Sequence, residues 1–154
     1  ELAFALRAWD PNLKPLQPGD VTVPISKLPE IIRYAKELET EFGMPVPCFG
    51  HAGDGNVHYT VLVEKDDPEA HEVGKEVYER VVEKAIEFGG TATGEHGIGL
   101  GKREYMELEH GSASVEAMRR IKRAFDPNDT LNPGKVFPET ATGKRVRAGA
   151  EADD

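Results

Sequence analysis

Two short segments hold most of the side chains in this sequence that can do chemistry. The first is Gly50-His51-Ala52-Gly53-Asp54-Gly55-Asn56-Val57-His58. Neutral imidazole is a good ligand for zinc and similar divalent ions. On a straight strand, residues seven apart point to opposite faces, but the Gly53-Asp54-Gly55 turn breaks that alternation and lets both rings converge. The same spacing is met equally by a plain turn built on Asp54 and Asn56 with both histidines in solvent.

The second segment runs from Gly89 to Lys102 and carries six glycines within residues 89–101. Glycine permits backbone geometries and close approaches that other residues forbid, so something is expected to lie against this loop. A phosphate cradle is another use of such a run, but Lys102 is followed by Arg103 where a P-loop needs Ser or Thr. At its centre, Glu95 offers a carboxylate to complete a His-His-Glu metal set, and His96 an adjacent imidazole left as a base. The alternative pairs Glu95 and His96 with each other, or with Lys102 and Arg103, on a solvated surface. A third segment, Phe125 to Lys135, holds Asp126-Pro127 and Asn132-Pro133. It reads as a helix stop followed by an extended, rigid exit strap. His71, in the acidic start of a helix, and His110, near a helix end, are expected at the surface.

The elements that must position these segments follow from periodicity. Val21 and Val23, closed by Pro24, predict a short strand. A helix should follow, capped by Ser26, with Leu28, Ile31, Ala35, Leu38 and Phe42 on its buried face and Gly43 as its stop. Two strands are expected at about 46–49 and 56–63, joined as a hairpin through the Gly-Asp-Gly turn. Asp66-Asp67-Pro68-Glu69 favours the start of a long helix running to Gly89-Gly90. Its stripe of Val73, Val77, Val81 and Ala85, with Tyr78, Val82 and Ile86, is wide enough to cover a sheet. Thr91 to Thr93 fits a brief strand, and further helices are expected at about 102–109 and 114–125. The order predicts an α+β fold, a ferredoxin-like antiparallel sheet with helices packed on one face, plus C-terminal helices.

Composition bounds the rest. The chain has 154 residues, enough for one compact domain. Residues 138–154 lack periodicity and are expected to form a disordered tail. Glu1 to Trp9 reads as the middle of an amphipathic helix without an initiator Met, which suggests a fragment whose N-terminal portion is absent. With 28 acidic against 19 basic residues and a formal charge of −9, the sequence argues against nucleic acid or an anionic membrane as main partner. The single cysteine, Cys48, excludes an internal disulfide and a cysteine-rich zinc site. No apolar run is long enough to span a bilayer, and no secretory signal is present. A soluble, cytoplasmic chain is expected, at most peripheral at the inner face of the membrane.

Taken together, His51 to His58, Gly90 to Lys102 and Asp126 to Lys135 resemble, in order and spacing, the C-terminal domain of the FAD-linked oxidase family. That family contains D-lactate dehydrogenase, the glycolate oxidase flavoprotein subunit and D-2-hydroxyglutarate dehydrogenase. The run Asp20 to Glu30 is similar to the matching strand and helix start of the cytochrome-linked D-lactate dehydrogenases in particular. The resemblance covers about residues 1 to 137.

It implies a cap over the flavin of a separate, more N-terminal FAD domain, absent from this chain. It also implies a division of roles: His51, His58 and Glu95 as ligands of a divalent metal, zinc or similar, and His96 as catalytic base. Asn132, in the strap, would contact FAD. Relatives set an arginine early in this domain against the substrate carboxylate; Arg7 or a residue before Glu1 would take that place. Asn56 and Lys102 complete the expected substrate contacts, with Lys102 and Arg103 otherwise solvated surface charges. The implied reaction is oxidation of a small 2-hydroxy acid to a 2-oxo acid, with electrons passing from FAD to an acceptor such as a quinone or cytochrome. The residues alone also admit a metal-dependent hydrolase, or a ferredoxin-like ligand-binding or assembly module without chemistry.

Overall fold

The computed structural model describes residues 10–138. The expected helix over Glu1 to Trp9, Arg7 within it, and all of the expected 138–154 tail except Pro138 lie outside the described residues. The described residues form two compact units, divided between Glu95 and His96.

In the first unit, β1 (Leu13–Pro15) and β2 (Gly19–Thr22) lead through a 3-10 turn at Ile25–Lys27 into α1 (Leu28–Phe42). There follow β3 (Cys48–His51), a 3-10 turn at Ala52–Asp54, β4 (Asn56–Tyr59), β5 (Leu62–Glu64) and α2 (Pro68–Glu87). The strands form a three-stranded antiparallel sheet in the order β2-β4-β3 and a two-stranded one, β1-β5. An isolated bridge between Thr22 and Thr91 adds a fourth position beside β2, where a brief strand was expected. Reading across, β3, β4, β2 and the bridge have the strand order of a ferredoxin-like α+β fold.

Alternation decides the two faces of this sheet. Val21, Val57 and Tyr59 face the helices, where Ile31, Ala35 and Leu38 of α1 and Val77, Val81, Val82 and Ala85 of α2 are fully buried with them. Each buried Val or Leu contributes roughly 1.5–3 kcal/mol relative to exposure. Tyr59 donates its hydroxyl proton to Tyr78 O (3.0 Å), which ties the central strand to α2. The other face of β4 carries Asn56 and His58.

Several boundaries differ from expectation for identifiable reasons. Ser26 lies inside the 3-10 turn and does not cap α1; Lys27 holds the N-cap position without a side-chain bond, and its amine pairs with Glu30 instead. At α2, Asp67 is the cap, accepting from Glu69 N and Ala70 N. The strand expected over 56–63 is two strands with different partners. Beside the break, Pro45 and Pro47 accept from Leu62 N and Thr60 N, but neither proline can donate, so a regular ladder stops there.

The second unit holds a 3-10 turn at Arg103–Tyr105, α3 (Met106–His110) and α4 (Ser112–Phe125). The strap after α4 is held by Arg103 Nη1 donating to Gly134 O (2.7 Å) and Val136 N donating to Gly99 O (2.8 Å). Buried Asp126 accepts from Thr130 N, Thr130 Oγ1, Leu131 N and Lys122 Nζ, which shapes the turn after α4.

Candidate functional site

Pairing register explains how the two histidines of the first segment reach one face. In the β3–β4 hairpin His51 lies opposite Asn56 and Phe49 opposite His58, so His51 and His58 sit diagonally on the same side. Their rings meet edge to face at 5.3 Å. Gly55 makes the tight return possible with φ +71°, and its Cα packs where a Cβ would stand 2.1 Å from Val23 O. Asp54 is in the turn, but Asn56 belongs to β4, and His58 is buried rather than in solvent.

The second segment supplies the third side chain. Glu95 Oε1 lies 3.0 Å from His58 Nε2 and 3.6 Å from His51 Nε2. One ligand-type atom from each of the three falls within 4.8 Å of the others. The His51 and Glu95 side chains are 58% and 54% exposed and His58 only 9%, so the cluster has one fixed member and an open side. Two imidazole nitrogens and a carboxylate oxygen, with room for a further ligand, match the donor set of sites where a metal keeps an open position. These residues fit a divalent ion.

Sequence reasoning missed Asp20. It lies on β2 opposite His58, is completely buried, and points to the same face as His58. Its Oδ2 accepts from Gly94 N (2.9 Å), Glu95 N (2.9 Å) and Thr93 Oγ1 (3.1 Å), and its Oδ1 from Asn56 Nδ2 (2.7 Å). An aspartate inside a strand, alternating with Val21 and Val23, was the available signal, since Asp is depleted in strands. Phe49 was missed too; its ring packs 5.2 Å from that of His58.

Asn56, expected to contact substrate, spends its amide nitrogen on the scaffold: Nδ2 also lies within bonding distance of Val21 O and Thr22 Oγ1. Among the described residues its buried Oδ1 has no hydrogen-bond partner, which leaves one acceptor on this face for a bound group. His96 follows Glu95 directly, opens the second unit and is exposed. Lys102 is buried, which corrects the expectation of a solvated charge there, whereas Arg103 is half-buried and serves the strap. Asn132 is exposed with φ +52°, and it lines a cavity of about 720 Å³ in the second unit with Arg119, Arg123 and Lys135. His71 is half-buried, its Nδ1 2.6 Å from Asp67 O, and His110 is exposed beside Glu109.

An α+β sheet carrying this cluster has relatives. Residues 10–136 match the family described as FAD linked oxidases, C-terminal domain, and the chain belongs to that family. It is 44% identical over 135 residues to a D-lactate dehydrogenase of Anaerostipes hadrus, covering 85% of this chain and 28% of that protein. To the glycolate oxidase subunit GlcD of Bacillus subtilis (strain 168) it is 40% identical over 129 residues, covering 84% and 27%. The chain thus spans just over a quarter of the length of these curated relatives. The fold is shared with a 4-ethylphenol oxidase from Gulosibacter chungangensis solved as its isoeugenol complex, at TM-score 0.61 and 20% identity over 88% of this chain and 27% of that one. No described helix is long and apolar enough to cross a membrane.

Proposed function

We propose that this chain is the substrate-side domain of an FAD-dependent D-2-hydroxy-acid dehydrogenase, acting on a D-lactate- or glycolate-type acid and forming the 2-oxo acid. The observation that carries the reading is the convergence of His51, His58 and Glu95 on the sheet face opposite the helices, in a chain whose relatives include D-lactate dehydrogenase and glycolate oxidase.

In this reading the buried ring of His58 is the fixed anchor, and the exposed His51 and Glu95 adjust around the incoming ligand. His51, His58 and Glu95 would hold a divalent ion such as zinc, which when bound would supply Lewis-acid polarisation of the substrate 2-hydroxyl. FAD, bound by a separate domain, would supply the hydride acceptor for the C2 hydrogen. His96 takes the hydroxyl proton; its peptide link to Glu95 keeps the two Cα atoms about 3.8 Å apart. Lys102, and Arg7 where it reaches the substrate, neutralise the carboxylate. Asn56 Oδ1 accepts a hydrogen bond from the bound acid or its water, and Asn132 contacts the flavin. The flavin's electrons would pass to an acceptor such as a quinone or cytochrome.

The test has two parts. The purified chain should take up zinc, and His51→Ala and His58→Ala should each weaken that uptake; unchanged uptake in both variants, or none in the parent, removes the metal site. Joined to its FAD domain, the protein should be yellow and reduce a dye with D-lactate or glycolate. A colourless protein without dehydrogenase activity refutes the enzyme, and metal-dependent hydrolysis by it would favour the hydrolase.

A further inference from the structure

We infer that Asp20 is the positioning residue of the His51–His58–Glu95 cluster: it fixes the backbone that carries Glu95 and orients His58 for ligation. The inference deepens the metal-site reading above and, for ligation, rests on it.

A carboxylate with no exposed surface is costly unless its oxygens are satisfied. Asp20 meets that condition by gathering the parts of the site. Through Oδ2 it holds the backbone N–H groups of Gly94 and Glu95 at 2.9 Å each, so the amide of a ligand residue is itself anchored to β2. Thr93 Oγ1 donates to the same oxygen at 3.1 Å, which ties the loop by a side chain as well. The loop lies close against this network. A Cβ at Gly94 would stand 2.1 Å from Asn56 Nδ2 and 2.8 Å from Asp20 Oδ1.

The same carboxylate acts on the other ligand carrier. Asp20 is the cross-strand neighbour of His58, with Oδ1 3.6 Å from His58 Nδ1, while His58 Nε2 faces Glu95. At 3.6 Å this is an electrostatic contact rather than a short hydrogen bond. A neutral imidazole that offers Nε2 as ligand keeps its proton on Nδ1, and a carboxylate at that end favours this tautomer. Asn56 Nδ2, at 2.7 Å, holds Asp20 Oδ1 from the far side, which keeps the carboxylate aligned. One buried residue therefore couples the glycine-rich loop, β4 and the open face.

The experiment compares Asp20→Asn with Tyr59→Phe in the full chain. The control removes a buried hydrogen bond on the helix-facing side of β4, the face opposite the one that carries His58. In metal-free protein, hydrogen exchange at Gly94 and Glu95 should quicken by more than about tenfold in Asp20→Asn and stay unchanged in Tyr59→Phe. Unchanged exchange in Asp20→Asn overturns the inference. Zinc affinity, read by competition with a chromophoric chelator, should fall about 10–100-fold in Asp20→Asn and less than about twofold in the control. Equal losses in the two variants indicate general loosening and also overturn it.

Should Asp20→Asn fail to fold, Thr93→Val, which removes one donor to Asp20, should still quicken exchange at both amides and weaken zinc. No change in either overturns the inference. A parent that takes up no zinc removes the metal reading, and exchange alone then decides the anchoring role. A parent that binds zinc as Asp20→Asn does, with exchange also unchanged, leaves the metal reading intact and removes Asp20.

Discussion

Substituting Gly94 by Ala should do measurable harm because there is no space for a methyl group above the Asp20 network. The added Cβ would stand 2.1 Å from Asn56 Nδ2, 2.6 Å from Thr22 Oγ1 and 2.8 Å from Asp20 Oδ1. Ordinary carbon–polar contacts lie near 3.4 Å, so loop or network must retreat by about 1 Å. That retreat would carry the Gly94 and Glu95 amides, now 2.9 Å from Asp20 Oδ2, beyond hydrogen-bond range. Bonds to a charged group contribute about 1.5–3 kcal/mol each, part of which relaxation recovers, and overpacking adds about 1–3 kcal/mol. A net loss of about 2–4 kcal/mol follows, roughly 10–30 °C in Tm for a unit of this size. Gly53→Ala is the matched control. It lies two residues from His51, has nothing within 4 Å of its built Cβ and keeps an ordinary φ, so it should be neutral or stabilising by up to about 1 kcal/mol. The assay is thermal unfolding followed by circular dichroism, with zinc affinity measured on the same samples. If Gly94→Ala melts within about 2 °C of the parent, close packing of the loop on Asp20 is not what holds Glu95.

Three further outcomes test other parts of the structure. Asp67→Ala removes the side chain that accepts from Glu69 N and Ala70 N, and should cost about 1 kcal/mol in urea unfolding. Asp126 is held well below the usual carboxylate range by Lys122, then by the Leu131 amide, with Thr130 adding to them. A depressed folded value means this stabilisation is fully present above about pH 4 and is lost as pH falls from there toward the folded value; Asp126→Asn should flatten that part of the acid-unfolding curve. Burial pushes the Cys48 thiol up, against the nearby Lys36 charge and with Glu39. Its alkylation by iodoacetamide at pH 7.5 should therefore run at least about tenfold slower than that of an unfolded control.

Much of the scaffold was legible because it is written in local periodicity. The face Ile31, Ala35, Leu38 and the stripe Val77, Val81, Ala85 each repeat at helical spacing, and both helices lie within a few residues of expectation. Gly43, at φ +67°, ends α1 where a left-handed residue was required. The hairpin was legible from Gly53-Asp54-Gly55, though its first strand lies two residues later than expected and its second stops at Tyr59, since the prolines at 45 and 47 cannot donate to a ladder. The strand β1 was not visible, because three residues carry too little pattern to separate from a loop.

For the site, the residue types and their spacing name the available side chains: two imidazoles across a glycine turn, and a carboxylate and imidazole inside a glycine-rich loop. They also require the loop to lie against something, through the density of its glycines. What that something is came from the fold: the buried carboxylate of Asp20. Side-chain facing depends on strand register, and register depends on partners distant in the chain, so the i-to-j pairing that sets Asp20 opposite His58 and His51 opposite Asn56 has no local signature. For the same reason Asp20, which holds the amide of Glu95 from seventy-five residues away, could be seen as an odd residue in a strand but not as the floor of the site.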